Sequence, residues 1–578
     1  MPAVLERPAP KPPVSDAPPV SVHRHNKPQR SASLYFFLLI TTIAFTPLLI
    51  LAGANQGYSQ VLAALVALAA LALVPWRPIF GLYLIVFCAV VIEQEPLTTT
   101  PIGTDHLYIF YWPVKLQGLP ERPIGFFILA VLAIIVLAGL VMRRRPLYGG
   151  KLFYPFIFFL ACVVMGILHG LASGGTFRII VLEVRPFWYL FVSYILAFNI
   201  VSKVNHVRVI LWITVLGTAI KGVQGTYIVY TYLGGHIEGH NEIMAHEQSF
   251  FFILVLLLLA LMVLHRVQGG LLLALLFSLP CLLIALIANN RRADYVALLA
   301  GIAVAWVLII ILKPQSRRVL IPALLFCALL GGAYVLAFQK TSGPLGLPAR
   351  AVVSVFHPSA TDARDASSNA YRTIEDYDLK YTESQNPLLG YGFGKPFLQP
   401  QTLPNVLELD PYYLYIPHNN VLWIWMRLGP LGFGAFWYLI GAGIVSGCFI
   451  ARRLKNPHLQ LFAIFAVATL VMEVIVAYSD YQLFFYRNMI YVGILLGVML
   501  KLPAIERASV GTGEPAVPAA DDLDAGASQP QEQKRPRARI VWHSPLPLPA
   551  PTTATVSARS TRSNDATDAD DNWDWDSV

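Results

Sequence analysis

Residues 411–450 read PYYLYIPHNNVLWIWMRLGPLGFGAFWYLIGAGIVSGCFI, and from Val421 onward the only charge is Arg427. A helix crosses a bilayer with about 20 apolar residues, so 421–450 is read as a membrane span entered from a tyrosine-rich polar approach. Gly429-Pro430 should interrupt it, because proline lacks the N–H that an inner helical turn uses. A short helical piece would then precede the spanning piece, with Pro417 and His418 just ahead of its first turn.

Working outward, further apolar runs lie near 34–52, 58–76, 79–93, 123–142, 152–171, 177–201, 208–232, 249–265, 270–288, 293–312, 318–338, 458–478 and 482–502. The fold class this predicts is an all-α polytopic membrane protein of about fourteen transmembrane helices. Pro75 and Pro78 fall between two of the shorter runs and either separate two spans or kink one hairpin. Composition agrees: of 578 residues, 56% are hydrophobic and 13% charged, and mean hydropathy is +0.59. A globular domain carries about 25% charged residues, so a soluble multidomain enzyme is excluded.

Charge is unevenly placed. Residues 1–33 hold five Lys/Arg and two Asp/Glu, residues 503–578 hold seven and twelve, and 34–502 hold the remaining 30 and 19. Both ends are expected to be disordered cytoplasmic tails flanking a transmembrane domain at 34–502. Basic clusters at Arg143 to Arg145, Lys203 to Arg208, His265-Arg266, Lys313 to Arg318 and Arg452 to Lys455 fall on one side if both termini are cytoplasmic, following the positive-inside rule. The net charge of +9 is thereby assigned to topology and not to nucleic acid. The long segment 339–417, before the twelfth span, becomes an extracytoplasmic loop. The five cysteines all sit in apolar runs and suggest neither disulfides nor a metal site.

Charges inside apolar runs are costly and by default mark function. Glu183, Arg185, Lys221, Arg291, Arg292, Asp294, Glu473 and Arg487 are of this kind. Internal pairing, for example Glu183 with Lys221 or Glu473 with Arg487, accounts for four of them. Arg185, Arg291 and Arg292 are read instead as an outer-leaflet guanidinium cluster short of carboxylates. Planar bidentate arginine suits a phosphate or diphosphate group. His418, at a helix start, can act as a general base towards a hydroxyl. His236, His240, Glu242, His246 and Glu247 are spaced too irregularly for a zinc site and are read as solvated surface. Gly390, Gly392 and Gly394 are read as a tight turn, since no strand-then-helix context makes them a phosphate loop.

These motifs carry a resemblance. His418-Asn419 followed by Gly429 and Gly432, the turn Asn386-Pro387-Leu388-Leu389-Gly390-Tyr391-Gly392-Phe393-Gly394, Tyr371-Arg372 ahead of it, Arg291-Arg292-Ala293 and Glu183-Val184-Arg185-Pro186 are together similar to the O-antigen ligase and O-antigen polymerase superfamily. The resemblance implies a C-type glycosyltransferase-like fold with a cavity facing the periplasm or exterior under a long loop, in the bacterial inner membrane. It implies an undecaprenyl-diphosphate-linked glycan as donor, a glycan or lipid acceptor, and no metal or other cofactor. Arg185 and Arg292, with Arg291 and Arg372 as further candidates, would bind the diphosphate. Asn419 would contact substrate, and His418 would activate the acceptor hydroxyl. A ligase and a polymerase share this donor chemistry; the His-Asn form favours the ligase. A transporter of lipid-linked sugars is the rival from another class, but it leaves a histidine at the end of a long outer loop unexplained.

Overall fold

The computed structural model describes residues 58–94, 103–107, 109–110, 121–141, 147–237, 242–341, 343–356, 363–404 and 412–511. Among these the regular structure is helical: α1 (Tyr58–Leu73), α2 (Ile79–Val91), α3 (Pro123–Val141), α4 (Phe153–Ala172), α5 (Phe177–Ile200), α6 (Val204–Thr231), α7 (His246–Leu264), α8 (Gly270–Asn289), α9 (Arg292–Leu312), α10 (Arg317–Phe338), α11 (Gly346–Phe356), α12 (Ala363–Ser384), α13 (Asn420–Arg453), α14 (Pro457–Ser479) and α15 (Tyr486–Gly511), besides short 3-10 turns.

Eleven described helices, α3 to α10 and α13 to α15, are long and apolar enough to cross a membrane. The chain is a polytopic membrane protein. The expected count of fourteen is not reproduced among the described residues. The run at 34–52 lies outside them, and 58–76 and 79–93 become helices of 16 and 13 residues divided by the turn at Pro75 to Pro78. The C-terminal carbonyls of α2 are capped by a side chain. Arg487, fully buried, donates from Nε to the Ala89 carbonyl and from Nη2 to the Val90 carbonyl, at 2.8 and 2.7 Å.

The segment 339–417, between the eleventh and twelfth expected spans, contains α11 and the polar 22-residue α12. One further boundary differs from expectation. The C-terminal tail, expected from 503, begins only after α15, which runs to Gly511. Glu506 anchors this extension by accepting the backbone N–H groups of Lys455 and Asn456 at 2.8 and 2.6 Å. The tails at 1–33 and 512–578 lie outside the described residues.

α14 and α15 form the interior of the bundle, while α10 is almost wholly exposed along its apolar length. α15 lies directly against α5, and the contact is between backbones: Cβ atoms at Gly493 and Gly497 would strike the carbonyls of Leu190 and Tyr194. Small residues four apart permit such close approach in a membrane, where packing and not the hydrophobic effect joins helices.

One end of the bundle gathers chain reversals from distant sequence positions. Thr176 donates to the Gly394 carbonyl at 2.9 Å, buried Asn289 accepts from the N–H groups of Ile243 and Met244, and Asn420 accepts from Leu483 N–H at 2.8 Å. The candidate site is built on this platform.

Candidate active site

The entry to α13 is set by three consecutive residues. Asn419 caps the helix, its Oδ1 accepting from Leu422 N–H at 3.0 Å. Its Nδ2 donates to Asp376 of α12 at 3.1 Å. Asn420, fully buried, donates to the Pro417 carbonyl at 2.9 Å and ties the cap to the turn at Leu483. Asn419 is therefore engaged in capping and docking, which uses the amide expected to contact substrate. His418, one position earlier, stays about one third exposed. Its nearest charge is Glu375 and not the helix terminus. The buried Glu375 carboxylate accepts the His418 backbone N–H at 2.9 Å and lies 3.3 Å from Nδ1 through either oxygen. Tyr371 and Tyr481 meet the imidazole edge to face, with centroids at 5.5 and 5.7 Å.

Gly429 breaks α13 as expected, with φ 63° and ψ −171°. The reason is visible in the turn it faces: a Cβ at Gly429 would lie 2.6 Å from the Leu388 carbonyl. Gly390, Gly392 and Gly394 all have positive φ, so their segment is a tight turn. It docks on the piece of α13 before the kink. Tyr391 and Gly392 N–H groups donate to the carbonyls of Met426 and Arg427 at 2.6 and 3.1 Å. Beneath it, Glu183 and Arg427 pair at 2.6 Å, Glu183 accepts Gly394 N–H at 2.5 Å, and Arg427 donates to the carbonyls of Gly392 and Tyr415.

Internal pairing of buried charges is real, but with other partners than the sequence suggested. Glu183 joins Arg427 and not Lys221. Lys221 pairs with Glu93 at 2.9 Å. Arg487 pairs with Glu247 at 3.3 Å and not with Glu473, which accepts from Gln482. Partners that are helices apart in sequence cannot be ranked from one chain alone, since several carboxylates lie at similar depth.

The arginines separate into distinct environments. Asn290, left-handed at φ 46°, ends α8 and turns the chain so that Arg291 and Arg292 open α9. Arg291 is paired with Asp480 at 3.0 Å. Burial opposes its charge, but Asp480 and Glu242 outweigh that and raise its pKa. Burial likewise works against ionisation of Asp480, yet Arg291, His418 and Arg372 together hold its carboxyl below the usual range. The expected shortage of carboxylates thus does not hold for Arg291, which Asp480, a single acid outside any charge-rich motif, neutralises. Arg292 donates to Ser354 of α11 and Asn369 of α12 at 3.3 and 3.1 Å. Arg372 on α12 is half-buried, and its Nε has no hydrogen-bond partner among the described residues. Burial lowers its pKa, and although Asp480 opposes this, Arg291 and Arg292 add to the depression.

Arg291, Arg292, Arg372 and His418 therefore converge around α12 and Asp480. Arg185 stands apart from them. It pairs with Glu121 at 3.5 Å and reaches Tyr486, the first residue of α15, by a 3.4 Å hydrogen bond and a cation–π contact. Its link to the cluster is through the 480–486 segment. Of the histidine and glutamate residues at 236–247, His246 pairs with Glu242 at 2.6 Å and faces Asp480 at 3.8 Å. Among the described residues no group of three or more His, Cys, Asp or Glu is placed to hold a metal; His240 lies outside them.

Sequence reasoning missed Glu375, Asp376 and Asp480. A signal for the first two existed: Asn369, Arg372, Glu375 and Asp376 recur at spacings of three and four, which share one face of a helix. Asp480 carried none, being a single acid in a short turn.

Residues 273–437 match the family model described as O-antigen ligase. That segment contains Arg291, Arg292, Arg372, His418 and the glycine turn, while Arg185 precedes it. Comparison with curated proteins gives no match. With the all-helical membrane architecture, this match over residues 273–437 supports membership of the O-antigen ligase superfamily.

Proposed function

We propose that the protein transfers a glycan from an undecaprenyl-diphosphate-linked donor to an acceptor hydroxyl at the outer face of the bacterial inner membrane, as a ligase. The observation that carries this reading is the convergence of three guanidinium groups and a partly exposed imidazole at one end of the bundle. His418 takes the proton of the acceptor hydroxyl. The acceptor oxygen forms a bond to the anomeric carbon as the bond from that carbon to the diphosphate oxygen breaks. The electron pair leaves with the diphosphate, which Arg292 and Arg372 stabilise as preorganised cations. Arg291, held by Asp480, lends charge from the second rank. Arg185, beside Tyr486, is read as a further cation for the same group. Direct attack inverts the anomeric configuration.

The end bearing His418 faces the exterior in this reading, because the basic clusters near Lys313 and Lys455 lie at helix ends that alternate with it along the chain. The test is reconstitution: purified protein in vesicles is given an undecaprenyl-diphosphate-linked oligosaccharide with and without a glycolipid acceptor. Product that forms only with acceptor supports a ligase. Chains that lengthen with donor alone would make the protein a polymerase, and no consumption of donor in either case would contradict the reading.

A further inference from the structure

The geometry points to Glu375 as the residue that selects the reactive nitrogen of His418, fixing the proton on Nδ1 and leaving Nε2 as the base. This deepens the proposed function and rests on His418 being its base. A carboxylate without a proton can only accept hydrogen bonds. Glu375 is almost fully buried, and one of its oxygens is already held by the His418 backbone N–H at 2.9 Å. The carboxylate therefore cannot rotate away without losing that bond. Nδ1 lies 3.3 Å from both oxygens, so the stable arrangement has Nδ1 carrying the hydrogen. The lone pair is then on Nε2, on the far side of the ring.

Three observations make this more than a surface ion pair. First, the imidazole is held edge-on by Tyr371 and Tyr481, so the ring has little freedom to exchange its nitrogens. Second, Tyr371 and Glu375 are four residues apart and share one face of α12, so one rigid helix supplies both the packing and the carboxylate. Third, the neighbouring pair Asn419 and Asp376 repeats the docking at 3.1 Å and fixes the backbone of His418 relative to α12. Once Nε2 has taken the acceptor proton, the same carboxylate faces the imidazolium and stabilises it. Holding a ring by its second nitrogen in this way is how histidine bases and metal ligands are generally oriented.

α12 also carries Arg372 and Asn369, the partner of Arg292. Base and diphosphate ligands are thus positioned by one helix, which keeps proton removal and leaving-group stabilisation in register.

The experiment uses the full-length protein in vesicles and compares wild type with Glu375→Gln, Glu375→Asp and His418→Ala, measuring turnover and donor affinity. Glutamine keeps the shape but can donate as well as accept, so the wrong tautomer becomes available. Turnover in Glu375→Gln should fall by roughly a hundredfold or more, with donor affinity unchanged. Glu375→Asp should recover part of the turnover. Wild-type turnover in Glu375→Gln, with His418→Ala inactive, would overturn the inference and leave the proposed function standing. Loss of donor affinity in parallel with turnover, with no rescue by aspartate, would show that Glu375 only docks the loop and would overturn it as well. Full activity in His418→Ala would instead defeat the reading of His418 as the base.

Discussion

Glu183 of α5 and Arg427 of α13 pair at 2.6 Å with neither side chain exposed, and the glycine turn at 390–394 is hydrogen-bonded to both of them. The pair links the motif around Glu183 to the turn and to the helical piece that starts beside His418. Breaking a buried pair from one side leaves an uncompensated charge and costs about 3–5 kcal/mol. Glu183→Gln and Arg427→Met should each lower the thermal unfolding temperature in detergent markedly. Glu183→Leu combined with Arg427→Met should recover part of it, the remainder being the bonds from Arg427 to the carbonyls of Gly392 and Tyr415. Additive losses in the double variant would show that the pair is not the unit.

Gly429 is expected to tolerate no side chain. Its φ of 63° lies where L-residues are strained, at roughly 1 kcal/mol or more, and a Cβ would meet the backbone of Leu388 and Gly390 at 2.6 and 2.9 Å. Gly429→Ala should destabilise the protein and displace the piece 420–428. Gly434→Ala, where nothing lies within 4 Å of an added Cβ, should be silent. Equal unfolding temperatures for the two variants would contradict the account of the kink.

Arg292→Ala and Arg372→Ala should each weaken binding of an undecaprenyl-diphosphate donor by about 10- to 100-fold, the worth of a charge-assisted hydrogen bond. Lysine at either position should restore only part, since an ammonium cannot reproduce the bidentate fork. Arg291→Ala also frees Asp480, so its loss should exceed that of Arg291→Ala combined with Asp480→Asn. Titration of donor into protein in nanodiscs checks all of these, and wild-type affinity in Arg292→Ala would count against the diphosphate role.

At the other end of the bundle, His265 is buried beside Lys313, 3.1 Å from its Nζ. Burial first and the lysine second lower its pKa to about 4. The folded state thus binds fewer protons than the unfolded one between the ordinary histidine value near 6.5 and about 4. Stability should fall as pH drops through that window, by up to about 3 kcal/mol in all. His265→Gln should flatten that part of the unfolding-temperature profile. A profile identical to wild type would show that His265 is not the group responsible.

Much of this fold is legible in the sequence because apolar length is a strong signal: each run from 123–142 onward becomes a helix, all but the last within a few residues of its expected bounds, and the last runs on to Gly511. The short helices α1 and α2 are less so, and the side chain that caps α2, Arg487, lies about 400 residues downstream. The site divides in the same way. His418 at a helix start, the break at Gly429-Pro430 and the turn at Gly390 to Gly394 follow from local backbone chemistry and are visible as residue types at fixed spacing. Which charge meets which does not follow. Glu183 meeting Arg427, Asp480 neutralising Arg291 and Glu375 facing His418 depend on how helices and loop pack, and single acids carry no local mark of it.

The most direct test of the central claim is turnover by His418→Ala, reconstituted in vesicles with an undecaprenyl-diphosphate-linked oligosaccharide and a glycolipid acceptor. The variant should fold, insert and bind donor as wild type does, while transfer falls by at least the 10²–10⁴-fold that a general base contributes. Transfer at the wild-type rate would contradict the account.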